Sequence, residues 1–252
     1  MKISVCGKGG SGKSTVVTLL ASVTRQRGFK VLVVDSDESN SGLFRMLGLE
    51  KPPAPLMEMV GGRSALKKNM QKPNIFEQPE IEVDGIPAPY IEKKDGLALV
   101  NIGKILQSLE GCACPMGVLS REFLKKLRPG RELVAYVDME AGVEHFGRGI
   151  DEGIDRVVIV VEPSYESLRV AEKIKNLAGG MGKDADAVLN KVPSARVSSK
   201  LEKELHAMNI GIIGKIPNDP SVFEACFAGG VIDRGEAFDA AGNVVDALLT
   251  SK

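Results

Sequence analysis

The sequence predicts an α/β fold: a doubly wound, mostly parallel β-sheet with helices on both faces. Three observations carry that expectation. Short β-branched runs alternate with amphipathic stretches along most of the 252 residues, the pattern of right-handed βαβ crossovers. The runs are continuously apolar, as in Val157-Val158-Ile159-Val160-Val161, which suits strands covered on both faces. The first run also passes through a glycine-rich stretch straight into a helical pattern, and ligand groups in such sheets gather at the carboxyl ends of strands.

Taken in order, the predicted strands are Lys2–Cys6, Lys30–Asp35, Leu97–Ile102, Leu133–Asp138, Arg156–Val161, Ala185–Lys191 and Ile210–Gly214. Helical periodicity falls on Lys13–Gln26, Gly117–Leu127, Ser164–Leu177, Ser199–Met208, Pro220–Ala228 and Glu236–Leu249. The rhythm breaks between Lys51 and Asp95, which holds seven prolines (Pro52, Pro53, Pro55, Pro73, Pro79, Pro87 and Pro89). Because the α/β pattern resumes afterwards, residues 1–252 read as a single domain. Residues 51–95 read as an insertion on the ligand edge, with short helices near Pro55–Met59 and Ser64–Met70.

Composition narrows the functional classes. With 33 basic and 33 acidic residues, no global field draws the chain to nucleic acid or to an anionic membrane. Trp is absent and aromatics are few, so stacking platforms for single strands are not expected. No apolar run is long enough to span a bilayer, and the first strand leaves no room for a signal peptide. Four cysteines in such a chain point to a reducing cytoplasm and to metal or catalytic use.

The glycine-rich stretch is Gly7-Lys8-Gly9-Gly10-Ser11-Gly12-Lys13-Ser14-Thr15. Its G-x-x-x-x-G-K-[ST] spacing between a strand and a helix is a phosphate-binding loop. Gly9, Gly10, Ser11, Gly12 and Thr15 turn the backbone so that N–H groups point at phosphate oxygens. The positive end of the following helix adds to that field. Lys13 is placed to reach the β- and γ-phosphates, and the Ser14 hydroxyl to sit on Mg²⁺. A nucleotide is the expected ligand. Lys8 is a charge that the basic pattern does not require. The form GKGGxGK[ST] resembles the deviant Walker A loop of the MinD, ParA and nitrogenase iron-protein class. That resemblance implies ATP and ADP as the nucleotides, a Lys8 that crosses a dimer interface to the partner's phosphates, and dimerisation driven by ATP.

Two further strand ends carry carboxylates. Asp35-Ser36-Asp37 puts two of them on one side of an extended segment. The resemblance places Asp37 in the first switch loop, orienting the attacking water, and gives Asp35 to the Mg²⁺ shell or the loop. Leu133–Asp138 is a Walker B strand whose Asp138 can hold Mg²⁺ through a water. Met139-Glu140-Ala141-Gly142 then matches D-x-x-A-G, a second switch in which Gly142 offers a backbone N–H toward the γ-phosphate. His145, near a helix start, reads as structural. In this class two later strand ends bracket adenine, which here implies Asn190, Lys191, Pro217 and Asp219; the Asn190 amide can both donate and accept.

Gly111-Cys112-Ala113-Cys114-Pro115 holds two thiols at i and i+2. Cys6 reads as buried under the loop, and Cys226 as a small hydrophobe on an apolar helix face. A closed thiolate site wants four ligands, which a two-fold dimer supplies with one C-x-C from each subunit. Zn²⁺, an Fe–S centre and square-planar Ni²⁺ all suit such a set.

The order of these motifs, together with Gly147-Arg148-Gly149, Glu162-Pro163 and Asn190-Lys191-Val192, resembles the CooC-type ATPases over nearly the full chain. That resemblance implies a dimeric Mg²⁺-ATPase that binds Ni²⁺ or Zn²⁺ at Cys112 and Cys114 and serves nickel insertion into carbon monoxide dehydrogenase or a related client. Two alternatives stand beside it. One is a cluster-bearing ATPase like the nitrogenase iron protein, although its cluster cysteines come from two separated places. The other is a MinD/ParA positioning switch, although Phe238–Leu249 reads as neither basic nor strongly amphipathic.

Overall fold

A computed structural model describes residues 1–37, 42–69, 76–103 and 114–250. The chain runs β1 (Lys2–Gly7), α1 (Lys13–Gln26), β2 (Lys30–Asp35), α2 (Leu43–Met46), α3 (Leu56–Met59), α4 (Gly62–Asn69), β3 (Ile81–Glu82), β4 (Glu92–Lys94) and β5 (Leu97–Asn101). It continues with α5 (Cys114–Lys126), β6 (Leu127–Arg128), β7 (Leu133–Asp138), α6 (Glu144–Gly147), β8 (Arg156–Val161), α7 (Tyr165–Gly180), β9 (Ala185–Val192), α8 (Ala195–Ala207), β10 (Gly211–Pro217), α9 (Pro220–Ala228) and α10 (Glu236–Thr250).

Eight strands form one sheet in the order β10-β9-β8-β1-β7-β2-β5-β4. Every pairing is parallel except β4 against β5 at the edge. The period of two along each strand divides the apolar residues between two cores. Ile3, Val5, Val31, Val33, Tyr136, Val158 and Val160 face one side, where Val16, Leu19 and Leu20 of α1 and Val244 and Val245 of α10 cover them. Cys6, Leu32, Val34, Ala135, Val137, Ile159 and Val161 face the other, under Leu119 and Phe123 of α5, Ile174 of α7 and Leu201 of α8. From β1 the chain builds outward through β7, β2 and β5 on one side and β8, β9 and β10 on the other. The crevice at β1 is therefore the topological switch point.

Several predicted boundaries shift for identifiable reasons. Helix α8 starts four residues ahead of the periodic stretch because Ser194 caps it, its hydroxyl accepting from Val197 N–H. Ser164 caps α7 in the same way rather than opening it. Strand β10 runs on to Pro217. The insertion is not confined to the ligand edge. Met57 N–H donates to Ile102 O beyond the carboxyl end of β5, but β3 pairs with β6, before the start of β7. Its Leu56, Leu66, Ile81, Ile86 and Ile91 join the core over α5. The two- and three-residue strands β3 and β4 are too short for periodicity to register. The last helix is a second correction: α10 buries Ala237, Phe238, Ala241, Val244, Val245 and Leu248, an amphipathic stripe facing the core.

Candidate active site

The phosphate loop leaves β1 at Gly7, whose φ is +147°. A Cβ there would lie 2.5 Å from the carbonyl oxygen of Val160 on the neighbouring strand, so only glycine fits. Ser11 N–H donates to Lys8 O at 3.1 Å, and Gly12, at φ +93°, hands the chain to α1. Asn190 Nδ2 donates to Ser11 O at 2.8 Å from the end of β9. The loop is thus tied to a second strand as well as to its own helix.

Register brings the carboxylates together. Asp35 pairs with Asp138 across β2 and β7, and Val5 with Asp138 across β1 and β7. Ser14 Oγ donates to Asp138 Oδ2 at 2.6 Å. The other Asp138 oxygen is buried without a hydrogen-bond partner among the described residues. Burial pushes the Asp138 carboxyl up to about 7, the charge of Asp35 adds to this, and the Ser14 hydrogen bond and Lys13 oppose it. Asp37 adds a further like charge. Lys13 is 7% exposed at the foot of the loop. A buried carboxylate with a vacant lone pair beside a hydroxyl fits a hydrated Mg²⁺.

Gly142 has φ +93°, and its N–H donates to Gly7 O at 3.1 Å. The second switch therefore contacts the phosphate loop through the group that sequence assigned to the γ-phosphate. Beyond it, His145 is fully buried, with Nδ1 2.6 Å from Asp151 Oδ2, which is equally buried; this agrees with a structural role. Arg148 pairs with Glu140 at 2.5 Å. Its alkyl chain lies against Gly117 of α5, where a Cβ would come within 2.6 Å of Arg148 Cδ.

The base-site residues part company. Asn190, Lys191, Pro217 and Asp219 line a cavity of about 220 Å³ with Thr15, Val222, Phe223 and Cys226. However, the Asp219 carboxylate caps α9, accepting from Ser221 N–H at 2.9 Å and from Ala237 N–H at 3.0 Å. Lys191 reaches back over the loop, donating to Gly10 O at 2.6 Å. Cys226 is exposed rather than part of a core face, because α9 buries none of its residues. Phe223 and Phe227 are 72% and 88% exposed. Glu162, which the sequence offers only as part of the Glu162-Pro163 match, meets Lys8 at 2.8 Å.

Cys112 lies outside the described residues, and Cys114 is described only as the first residue of α5. Among the described residues no group of three or more His, Cys, Asp or Glu side chains could hold a metal ion. No helix of the described residues is long and apolar enough to cross a membrane.

Comparison with known proteins accounts for this arrangement. Residues 3–230 match the CobQ/CobB/MinD/ParA nucleotide binding domain family. An uncharacterized ATP-binding protein of Methanocaldococcus jannaschii is 41% identical over 238 residues, covering 91% of this chain and 92% of that protein. The carbon monoxide dehydrogenase accessory protein CooC of Rhodospirillum rubrum is 34% identical over 235 residues, covering 91% and 88%. Among solved structures, the septum site-determining protein MinD of Pyrococcus horikoshii, complexed with Mg-ADP, superposes with a TM-score of 0.72 at 18% identity, covering 99% of this chain and 96% of that one. The chain belongs to the CobQ/CobB/MinD/ParA nucleotide-binding family and is an ATPase of the MinD/ParA type.

Proposed function

We propose that this ATPase is a dimerising metallochaperone that hydrolyses ATP to ADP and phosphate and serves nickel insertion into carbon monoxide dehydrogenase or a related metalloenzyme. The observation that carries the reading is the Cys112-Ala113-Cys114 pair leading into α5, in a chain 34% identical to the carbon monoxide dehydrogenase accessory protein CooC. The packing around α5 supports it. Arg148 joins Glu140 of the second switch to Gly117, three residues beyond Cys114, so a movement at Gly142 has a short, packed route to the helix that follows the thiols.

In this reading Gly9, Gly10, Ser11, Gly12 and Thr15 cradle the phosphates, Lys13 neutralises their charge, and Lys8 does so across the dimer for the partner's nucleotide. Asp37 orients the attacking water. Ser14 and Asp138, with Asp35 behind, would hold Mg²⁺. When bound, Mg²⁺ supplies charge neutralisation at the β- and γ-oxygens. Asn190, Lys191 and the Pro217 segment border the base, and Asp219 shapes that border by fixing α9. Gly142 trades its bond to Gly7 O for the γ-phosphate, which tells ATP from ADP. Closure brings two Cys112/Cys114 pairs together around one Ni²⁺ or Zn²⁺.

The test is metal binding by Cys112→Ser/Cys114→Ser. Stoichiometric Ni²⁺ or Zn²⁺ binding should vanish while ATP binding persists; unchanged metal affinity contradicts the assignment.

A further inference from the structure

Three adjacent strands, β9, β8 and β1, each deliver one charged side chain to the mouth of the phosphate loop: Lys191, Glu162 and Lys8. Lys8 Nζ donates to Glu162 Oε1 at 2.8 Å, and Lys191 Nζ stands 3.6 Å from Glu162 Oε2. Lys191 is anchored at the same time on Gly10 O, at 2.6 Å. The two lysines therefore share a carboxylate at the entrance to a site built for phosphate. Glu162 is itself held in place, its N–H donating to Ser167 Oγ at 3.1 Å, and its side chain is 17% exposed. Burial works to raise its carboxyl, but the Lys8 hydrogen bond and the charges of Lys8 and Lys191 outweigh it and hold the group below the usual carboxylate range. At neutral pH the contact is a full ion pair.

We infer that Glu162 is a positioning residue that parks Lys8 on its own chain, and that Lys191 takes over the Glu162 charge when Lys8 leaves for the partner's phosphates. This rests on the trans reading of Lys8 given above. Lys8 cannot serve a partner's nucleotide while its ammonium is bonded to Glu162 in cis. A partly exposed ion pair is weak, whereas a polyphosphate offers more negative charge, so the exchange runs toward phosphate only when a partner presents one. Abandoning a partly buried carboxylate carries a desolvation penalty. Lys191 removes it by closing from 3.6 Å to hydrogen-bonding distance. Glu162 thereby restrains the monomer from premature closure, and Lys191 keeps that restraint reversible.

Sedimentation in Mg-ATP across a range of protein concentrations tests the exchange. With each protomer contributing about two- to fivefold, Glu162→Gln should move the dimerisation midpoint to roughly four- to twenty-fivefold lower concentration. In a Lys8→Met background, where ATP-driven dimerisation is lost, the same substitution should not restore it. Lys191→Met should raise the midpoint when Glu162 is present, and by a smaller factor beside Glu162→Gln. A wild type that dimerises with a midpoint indifferent to Glu162→Gln overturns the inference. A wild type that stays monomeric instead overturns the trans reading. The parking contact is then judged in nucleotide-free protein by the rate at which N-hydroxysuccinimidyl acetate acylates Lys8, read by peptide mass spectrometry. Glu162→Gln should speed acylation about two- to fivefold, with Lys93 as the unaffected reference; an unchanged Lys8 rate overturns the inference.

Discussion

The hydroxyl of Ser14 lies 2.6 Å from one oxygen of Asp138, and the other Asp138 oxygen is buried with no hydrogen-bond partner among the described residues. The register of β1, β2 and β7 holds Asp138 beside Asp35 and the end of β1.

That geometry sets a pH dependence. Burial, then Asp35, raises the Asp138 carboxyl from 3.8 to about 7. Because the folded value lies above the unfolded one, its contribution to stability is full below about 3.8 and is lost as pH rises through about 7. Asp138→Asn should flatten that part of the stability profile. Mg²⁺ favours the ionised form, so Mg-ATP binding at about pH 6 should release close to one proton, and at about pH 8.5 close to none. Calorimetry in buffers of different ionisation enthalpy counts the protons, and Asp138→Asn should release none at either pH.

Gly12 combines a φ of +93° with a missing Cβ that would lie 2.4 Å from Asn190 Nδ2. Gly12→Ala should cost about 2–4 kcal/mol, the sum of left-handed strain and the lost Asn190–Ser11 hydrogen bond. Urea unfolding measures it. Asn190→Ala alone should cost about 1 kcal/mol.

The fully buried His145–Asp151 pair should behave as structure. His145→Ala strands Asp151 without its partner and should destabilise by roughly 3 kcal/mol. The folded protein should bind ATP with unaltered affinity. A large loss of affinity at constant stability would instead give His145 a part in the second switch.

Cys226 lines the 220 Å³ cavity beside Asn190 and Pro217 on a helix that buries none of its residues. Cys226→Trp should fill that space and weaken ATP binding about tenfold, with the unfolding midpoint unchanged. Equal affinity would place the base elsewhere.

Much of this was legible from one dimension. The phosphate loop, the Walker B strand and the paired aspartates depend on short spacings, and an apolar strand that ends in Asp35 or Asp138 announces both the element and its ligand edge. Contacts set by sheet order were not legible. Lys8 and Glu162 are separated by 154 positions, and only the neighbouring of β1 and β8 brings them together. Asp219 had the composition of a base contact, but its carboxylate accepts from the first turns of α9 and α10. The apolar residues of α9, Val222, Phe223 and Phe227, have the composition of a core helix, yet Phe223 and Phe227 stand in solvent. Hydrophobicity alone does not say which helix finds a partner.

In the proposed function, one closure joins the nucleotide sites and the thiol pairs. The most direct test is mass in solution, with metal content measured on the same sample, in Mg-ATP and Ni²⁺ or Zn²⁺. The account predicts doubled mass and about one metal ion per two chains, with the metal lost in Cys112→Ser/Cys114→Ser and the ATP-driven doubling lost in Lys8→Ala. A wild-type protein that turns over ATP as a monomer, or a Lys8→Ala protein that dimerises and turns over normally, would contradict it.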